Sequence, residues 1–218
     1  MLKAIIFDLD GTLVDSLPYH YESWSIFFKN NNLEETYFSK ILKEYKGGGT
    51  LELMSSVFGN SYSKKELKKM SEDKEVIFRD IYKNNIRPIK GLINFLDNLK
   101  ENNILLAIGS NATTKNVLMT IEELGITNYF SSIICGDKVS KGKPDPEMFI
   151  TTLSNLKVSK DECIVFEDSI EGVAAAKKAD IKVIGVTSSQ STEALESVGC
   201  FKTITDYCKI EFDDILDL

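Results

Sequence analysis

Short apolar runs rich in isoleucine and valine recur along the 218-residue chain, at Ala4 to Leu9, Ile104 to Ile108, Ser132 to Cys135, Cys163 to Phe166 and Lys182 to Val186. Each is of strand length and is bounded by Gly, Asp, Asn or Ser. Between them apolar residues return at helical spacing, as in Leu92-Phe95-Leu96-Leu99, Val117-Leu118-Ile121-Leu124 and Val173-Ala174-Ala176-Lys177. Continuous apolar strands alternating with helices predict an α/β fold, a doubly wound parallel sheet of Rossmann-like form.

From about Pro18 to Arg87 the alternation stops and only helical periodicity remains. Trp24-Phe27-Phe28, Phe38-Ile41-Leu42-Tyr45, Leu51-Met54-Val57-Phe58 and Val76-Ile77-Ile81 each read as one apolar face. The simplest geometry is an all-helical insertion over 17–87, with the α/β core spanning 1–16 and 88–218. Placed after the first strand, such an insertion covers the carboxyl ends of the strands, where open α/β sheets bind ligands. The run Lys64-Lys65-Glu66-Leu67-Lys68-Lys69 is mixed in sign and helical in period, which predicts a solvated helix face.

Four predicted strands end in residues with chemistry. The first ends in Asp8-Leu9-Asp10-Gly11-Thr12, two carboxylates that repel unless a cation joins them. Mg²⁺, usually held by one or two carboxylates with phosphate and water, is the natural partner, leaving Asp8 to attack phosphorus and Asp10 to handle protons. Alone, Asp-x-Asp-Gly reads better as a strand-to-loop turn, and what favours chemistry is that three further strand ends carry complementary groups. The second ends in Gly109-Ser110-Asn111 before a helix start at Thr113-Thr114, where a hydroxyl and backbone N–H groups either hold a phosphoryl oxygen or simply cap the helix. After the third comes Lys143, fixed between Gly142 and Pro144 and able to neutralise a phosphate and the acids around it. The fourth ends in Glu167-Asp168-Ser169, a second acidic pair beside the first, and a bound cation relieves their repulsion more directly than raised pKa values do.

Composition narrows the field. A 43% hydrophobic content supports a real core, and 26 basic against 33 acidic residues leave a net charge of −7 that disfavours nucleic acid without excluding a small phosphorylated ligand. Cys135, Cys163, Cys200 and Cys208 form no CxxC pair, and His20 is the chain's one histidine, so structural zinc is not expected. No window approaches a membrane span, and reduced cysteines in a cytoplasmic monomer are the default expectation.

Asp8-x-Asp10-Gly-Thr12, Ser110-Asn111, Lys143-Pro144 and Glu167-Asp168-Ser169, in this order, resemble the haloacid dehalogenase superfamily of phosphohydrolases, in the subgroup that carries a helical cap domain. The resemblance implies a phosphatase in which Asp8 attacks the phosphoryl group of a small phosphomonoester. Asp10 then protonates the leaving oxygen and activates water against the aspartyl phosphate. It also implies Mg²⁺ held by Asp8, the backbone carbonyl of Asp10, and Asp168, with Glu167 second. Thr12, Ser110, Asn111 and Lys143 would contact the substrate. The namesake dehalogenases lack the second aspartate and the phosphoryl-transfer ATPases have threonine there, so Asp10 favours a phosphatase or a phosphomutase.

Pro18-Tyr19-His20 and Trp24 are similar to the opening of the cap in β-phosphoglucomutase and in several sugar-phosphate phosphatases. His20 is thus either a substrate or proton-handling contact or a half-buried helix histidine beside Trp24. The mutase offers an arginine to a distal phosphate after a Lys-Gly step, where this chain has Lys46-Gly47-Gly48-Gly49-Thr50 and Thr50 stands nearest. Tyr19, His20, Trp24, Lys46, Thr50 and Lys74 are the cap residues to search for substrate contacts. A sugar-phosphate phosphatase is the leading expectation. A β-phosphoglucomutase-like enzyme comes next, and a non-catalytic phosphate-binding signalling protein third. Hinges are expected at Val14 to Leu17 and at Ile86 to Lys90.

Overall fold

A computed structural model of the protein describes residues 1–33, 35–44 and 49–216; Lys46 and the two glycines after it lie outside that set. Six parallel strands form one sheet: β1 (Ala4–Phe7), β2 (Leu105–Ser110), β3 (Phe130–Cys135), β4 (Cys163–Glu167), β5 (Lys182–Val186) and β6 (Lys202–Ile204). Their order is β3-β2-β1-β4-β5-β6, so the chain leaves β1 in both directions and the order reverses between β1 and β4. That reversal opens a crevice at the carboxyl ends of the central strands. Ala4, Ile5, Ile6 and Phe7 of β1 are all fully buried, as a strand covered on both faces requires.

Alternation along β1 divides the core in two. Ile5 and Phe7 point to one side with Leu96, Ile108, Val117 and Phe166. Ala4 and Ile6 point to the other with Ala107, Phe149, Val165 and Val183. Helices α5 (Leu92–Glu101), α6 (Thr114–Glu123), α7 (Glu147–Leu156), α8 (Ile170–Lys178), α9 (Thr192–Ser197) and α10 (Asp213–Leu216) complete the layers. The weakly apolar β6, with all three residues half-buried at a sheet edge, carries no strand signal of its own.

The stretch after β1 is helical: α1 (Leu17–Asn30), α2 (Glu35–Glu44), α3 (Thr50–Phe58) and α4 (Lys64–Tyr82). It has its own apolar cluster of Trp24, Phe27, Phe28, Ile41, Met54, Phe58 and Leu67. Serine 63 and Glu66 start α4 with a reciprocal capping box. The expected α4 face needs correction, because Val76 is 42% exposed and the buried side is Leu67, Ser71, Lys74, Glu75, Phe78 and Tyr82. Likewise Leu51 and Leu118 stand partly in solvent rather than in the core. Entry to and exit from the helical stretch run side by side: Val14 bridges Pro88, and Ile89 N donates to Leu13 O at 2.9 Å. Among the described residues no helix is long and apolar enough to cross a membrane.

Candidate active site

Pairing of β1 with β4 continues one residue past the strand, Asp8 N donating to Phe166 O at 3.0 Å. The chain then turns sharply, with Leu13 N bonded to Leu9 O at 2.8 Å and Gly11 N to Val14 O at 2.6 Å. Gly11 takes φ +79°, and a Cβ there would lie 2.1 Å from Asp168 Oδ2. Only glycine meets both the backbone and the space. Gly11→Ala is therefore expected to destabilise the fold by more than about 1 kcal/mol, measured by urea denaturation; an unchanged midpoint would show that the turn yields freely.

The expected stations at the strand ends do converge. Lys143 Nζ donates to Asp8 Oδ1 at 2.6 Å and to Glu167 Oε1 at 2.5 Å, all three groups being buried. Oxygens of Asp8, Glu167 and Asp168 lie within 4.8 Å of one another. One ammonium facing three clustered carboxylates leaves surplus negative charge in a dry site. Burial, the largest effect, together with Glu167 and Asp10 lifts the Asp8 carboxyl to about 7 against the pull of Lys143. Burial, Glu167 and Asp8 raise Asp168 as well. Burial opposes the charge on Lys143, but Asp8 and Glu167 outweigh it and hold its pKa above the ordinary lysine value. An all-oxygen, over-acidic cluster of this kind fits a hard divalent cation such as Mg²⁺.

Within that cluster the acids divide their work. Glu167 Oε2 accepts from Asp168 N, Ser169 N and Ser169 Oγ at 3.0, 3.0 and 2.9 Å, while its other oxygen takes Lys143. Both Glu167 oxygens also serve the β4–α8 turn and the lysine, so Asp8 and Asp168 are the less engaged carboxylates of a cluster in which all three could face a cation. Gly172 makes room for this arrangement, since a Cβ on it would lie 1.8 Å from Glu167 Oε1. Asp168 is steadied through its backbone, Ser189 Oγ donating to its carbonyl at 2.8 Å, and Ser188 does the same for the carbonyl of Gly11.

Asp10 turns away from the three acids. Its Oδ1 accepts from Ser16 Oγ at 2.5 Å and lies 3.8 Å from His20 Nε2. Burial would raise its pKa, but His20 and Ser16 outweigh burial and keep the carboxyl below its ordinary value. A metal contact from Asp10 through this side chain does not fit the structure, which leaves the backbone carbonyl. Burial and Lys74 hold His20 below the usual imidazole value, and its ring stacks on Phe78 at 3.8 Å between centroids.

The remaining expected residues have mixed fates. Asn111 Oδ1 accepts from Lys143 N at 2.9 Å and so fixes the lysine loop. Ser110 is buried at the end of β2, its Oγ accepting from Ala112 N at 3.2 Å. Thr12 is buried inside the turn, its hydroxyl without a hydrogen-bond partner and its carbonyl accepting from Tyr207 at 2.9 Å. Thr50 gives its hydroxyl proton to Glu75 Oε1.

Sequence reasoning missed Ser16, Glu75 and Asn116. Lys74 Nζ stands 2.9 Å from His20 Nδ1 and 3.1 Å from Glu75 Oε1, and Asn116 Nδ2 donates to Glu75 Oε2 at 2.5 Å. Arg79 Nη1 donates to Asn116 Oδ1 at 2.8 Å, so one core amide is held from two successive turns of α4. Burial would raise Glu75, but Lys74, His20, Thr50 and Asn116 outweigh it and hold its carboxyl at about 2. The available signal was Lys74-Glu75 falling on the Leu67–Phe78 stripe of α4. A cleft of about 1120 Å³ runs between this helix and the core loops, lined by Glu75, Thr50 and Ser71 on one side and by Asn111, Gly142 and Lys143 on the other.

Residues 5–186 match the family described as haloacid dehalogenase-like hydrolase. A phosphorylated carbohydrates phosphatase from Thermotoga maritima is 30% identical over 191 residues, covering 86% of this chain and 87% of its own. The β-phosphoglucomutase of Bacillus subtilis is 28% identical over 199 residues, 87% of this chain and 85% of its own. Among solved structures, a family IA, variant 3 hydrolase from Entamoeba histolytica superposes with a TM-score of 0.87 at 29% identity, covering 99% of this chain and 98% of that one.

Proposed function

The chain belongs to the haloacid dehalogenase-like hydrolase family, and on that premise we propose that it is a Mg²⁺-dependent phosphatase of a small phosphomonoester, a sugar phosphate in particular, working through a phosphorylated Asp8. The observation that carries the reading is Lys143 Nζ seated between Asp8 and Glu167, with Asp168 in the same cluster, where the order of the parallel strands reverses.

Asp8 Oδ1 is the nucleophile: it forms a bond to phosphorus while the bond from phosphorus to the ester oxygen breaks. Asp10 gives the departing alkoxide its proton, then takes one from the water that cleaves the aspartyl phosphate. The contacts from Ser16 and His20 keep Asp10 ionised, the form that can accept the water's proton in this second role. Lys143 and the Ser110–Asn111 turn hold the phosphoryl oxygens, and Glu167 positions Lys143. Asp8 and Asp168, with the Asp10 carbonyl, would hold Mg²⁺, which when bound supplies charge neutralisation at the phosphoryl group. The helical segment 17–87 acts as the cap that excludes bulk water, moving about the paired linkers at Val14 and Pro88.

A phosphomutase must also hold a second phosphate. Thr50, at the place of the mutase's arginine, is bonded to a carboxylate instead, which favours hydrolysis.

Inorganic phosphate release from a panel of sugar phosphates and other phosphomonoesters, with Mg²⁺ or with chelator, tests the proposal. Release that needs the metal is expected. Release at the same rate in chelator would remove the metal from the reading, and no release anywhere on the panel would remove the phosphatase.

A further inference from the structure

The cap side of the cleft presents a buried carboxylate, Glu75, ion-paired with Lys74, where the substrate's non-phosphoryl end would lie. Among the described residues, the buried ones lining the cleft are Thr50, Ser71, Glu75 and Lys143, at 9, 9, 2 and 8% exposure. Lys143 faces the phosphoryl position through its contact with Asp8. What remains for the rest of the ligand is two hydroxyls and one carboxylate. Lys74 balances that carboxylate from behind: its ammonium lies 5.2 and 5.3 Å from the Trp24 and Phe78 rings and is not part of the lining. The lysines that do line the cleft stand towards solvent. Lys69 is paired with Asp73 and Lys115 with Glu72, and Lys65 and Lys68 are exposed, where salt screens their charge.

From this placement we infer that Glu75 is a specificity-determining residue that rejects a second anionic group on the substrate and accepts a neutral, hydroxyl-bearing end. The inference rests on the phosphatase reading for where the phosphoryl group sits. Hydroxyl groups can donate to Glu75 and exchange hydrogen bonds with Thr50 and Ser71. A carboxylate or a second phosphate there would meet Glu75 across a weakly screened gap and leave it an unpaired like charge, a repulsive element of selection. Thr50, bonded to Glu75, adds no cation that could offset it.

Matched pairs differing only in the far group test this: sorbitol 6-phosphate against 6-phosphogluconate, and glycerol 3-phosphate against 3-phosphoglycerate. For each pair the ratio of kcat/KM values, neutral over anionic, is read within a single protein preparation, so partial loss of folded enzyme cancels. The wild-type ratio is expected to be at least about tenfold, and Glu75→Gln is expected to reduce it by about tenfold. Thr50→Arg, which keeps Glu75 and adds a cation beside it, is expected to reduce it as well. A wild-type preference for the anionic members, or a ratio left unchanged in both variants, overturns the inference. Calorimetric binding of the same pairs to the Asp8→Asn protein with Mg²⁺ gives the ratio without turnover. Selective binding with no hydrolysis by the wild type would overturn the phosphatase reading and uphold the role of Glu75; hydrolysis of both members at equal efficiency would do the reverse.

Discussion

Asp8→Asn is expected to lower phosphate release by on the order of 10⁴-fold or more, because it removes the attacking oxygen and leaves only binding and charge stabilisation. The same substitution should not harm the fold. Asparagine keeps an oxygen that can accept from Lys143 and takes one charge out of a cluster of three buried carboxylates. The pH dependence gives a second readout. In the metal-free protein the Asp8 pKa rises from 3.8 to about 7, with burial the largest cause. Between those values the folded state holds a proton that the unfolded state has released, so Asp8 makes stability fall as pH rises through the window. Asp8→Asn removes that slope, leaving the variant at pH 8 in chelator at least as stable as the wild type. Melting curves across pH, with chelator and with Mg²⁺, measure it. A variant that melts well below the wild type at pH 8 would contradict the account of a repulsive cluster, and one that retains turnover would contradict the covalent step.

Lys143→Met is expected to have the largest effect on stability. It leaves Asp8 and Glu167 buried and facing each other without their shared cation, a situation that costs about 3–5 kcal/mol when one partner of a buried ion pair is removed. Loss of a positioned donor at the phosphoryl site should also lower kcat by roughly 10²–10³-fold. Because the damage comes from uncompensated charge, adding Asp8→Asn to Lys143→Met should restore part of the stability, a positive coupling that independent sites would not show. Urea denaturation of the two single variants and the double variant measures it. Simple additivity would mean that Lys143 acts through packing, for instance on the Phe149 ring 5.2 Å away, rather than through charge.

What could be read in the chain beforehand follows from how local each signal is. Asp8, Ser110 and Glu167-Asp168 were legible because each stands at the end of an apolar strand and the parallel fold carries all the strand ends to one edge; Lys143, in the loop after β3, was legible from its fixed place between Gly142 and Pro144. Five of the six strands announce themselves by unbroken apolar runs; Lys202-Thr203-Ile204 does not, being held by its neighbour β5 rather than by its own composition. Glu75 was invisible for a different reason. Its partners Thr50 and Asn116 lie 25 and 41 residues away, and a glutamate on a lysine-rich helix reads as a solvated charge until those partners are known. The α4 face was misread on the same ground, since Val76-Ile77-Ile81 attracts the eye while Lys74 and Glu75 hold the buried side as an ion pair. Thr12 is a different case: its place beside the motif aspartates is local in sequence, while the closure of its hydroxyl inside the turn around Gly11 depends on the fold.

The side-by-side linkers at Val14 and Pro88 have a consequence for how such a chain can vary. Since the helical segment leaves and rejoins the sheet at a single bridge, its length and lining can change without shifting any strand. Reaction and selectivity are thereby carried on separately exchangeable stretches of polypeptide. The groups that would break the phosphate ester, Asp8, Lys143 and Asp168, stand on loops that follow strands of the sheet, and those that would inspect its far end, Thr50 and Glu75, belong to the insertion. Grafting the segment of a relative between these two points would test whether substrate preference travels with it.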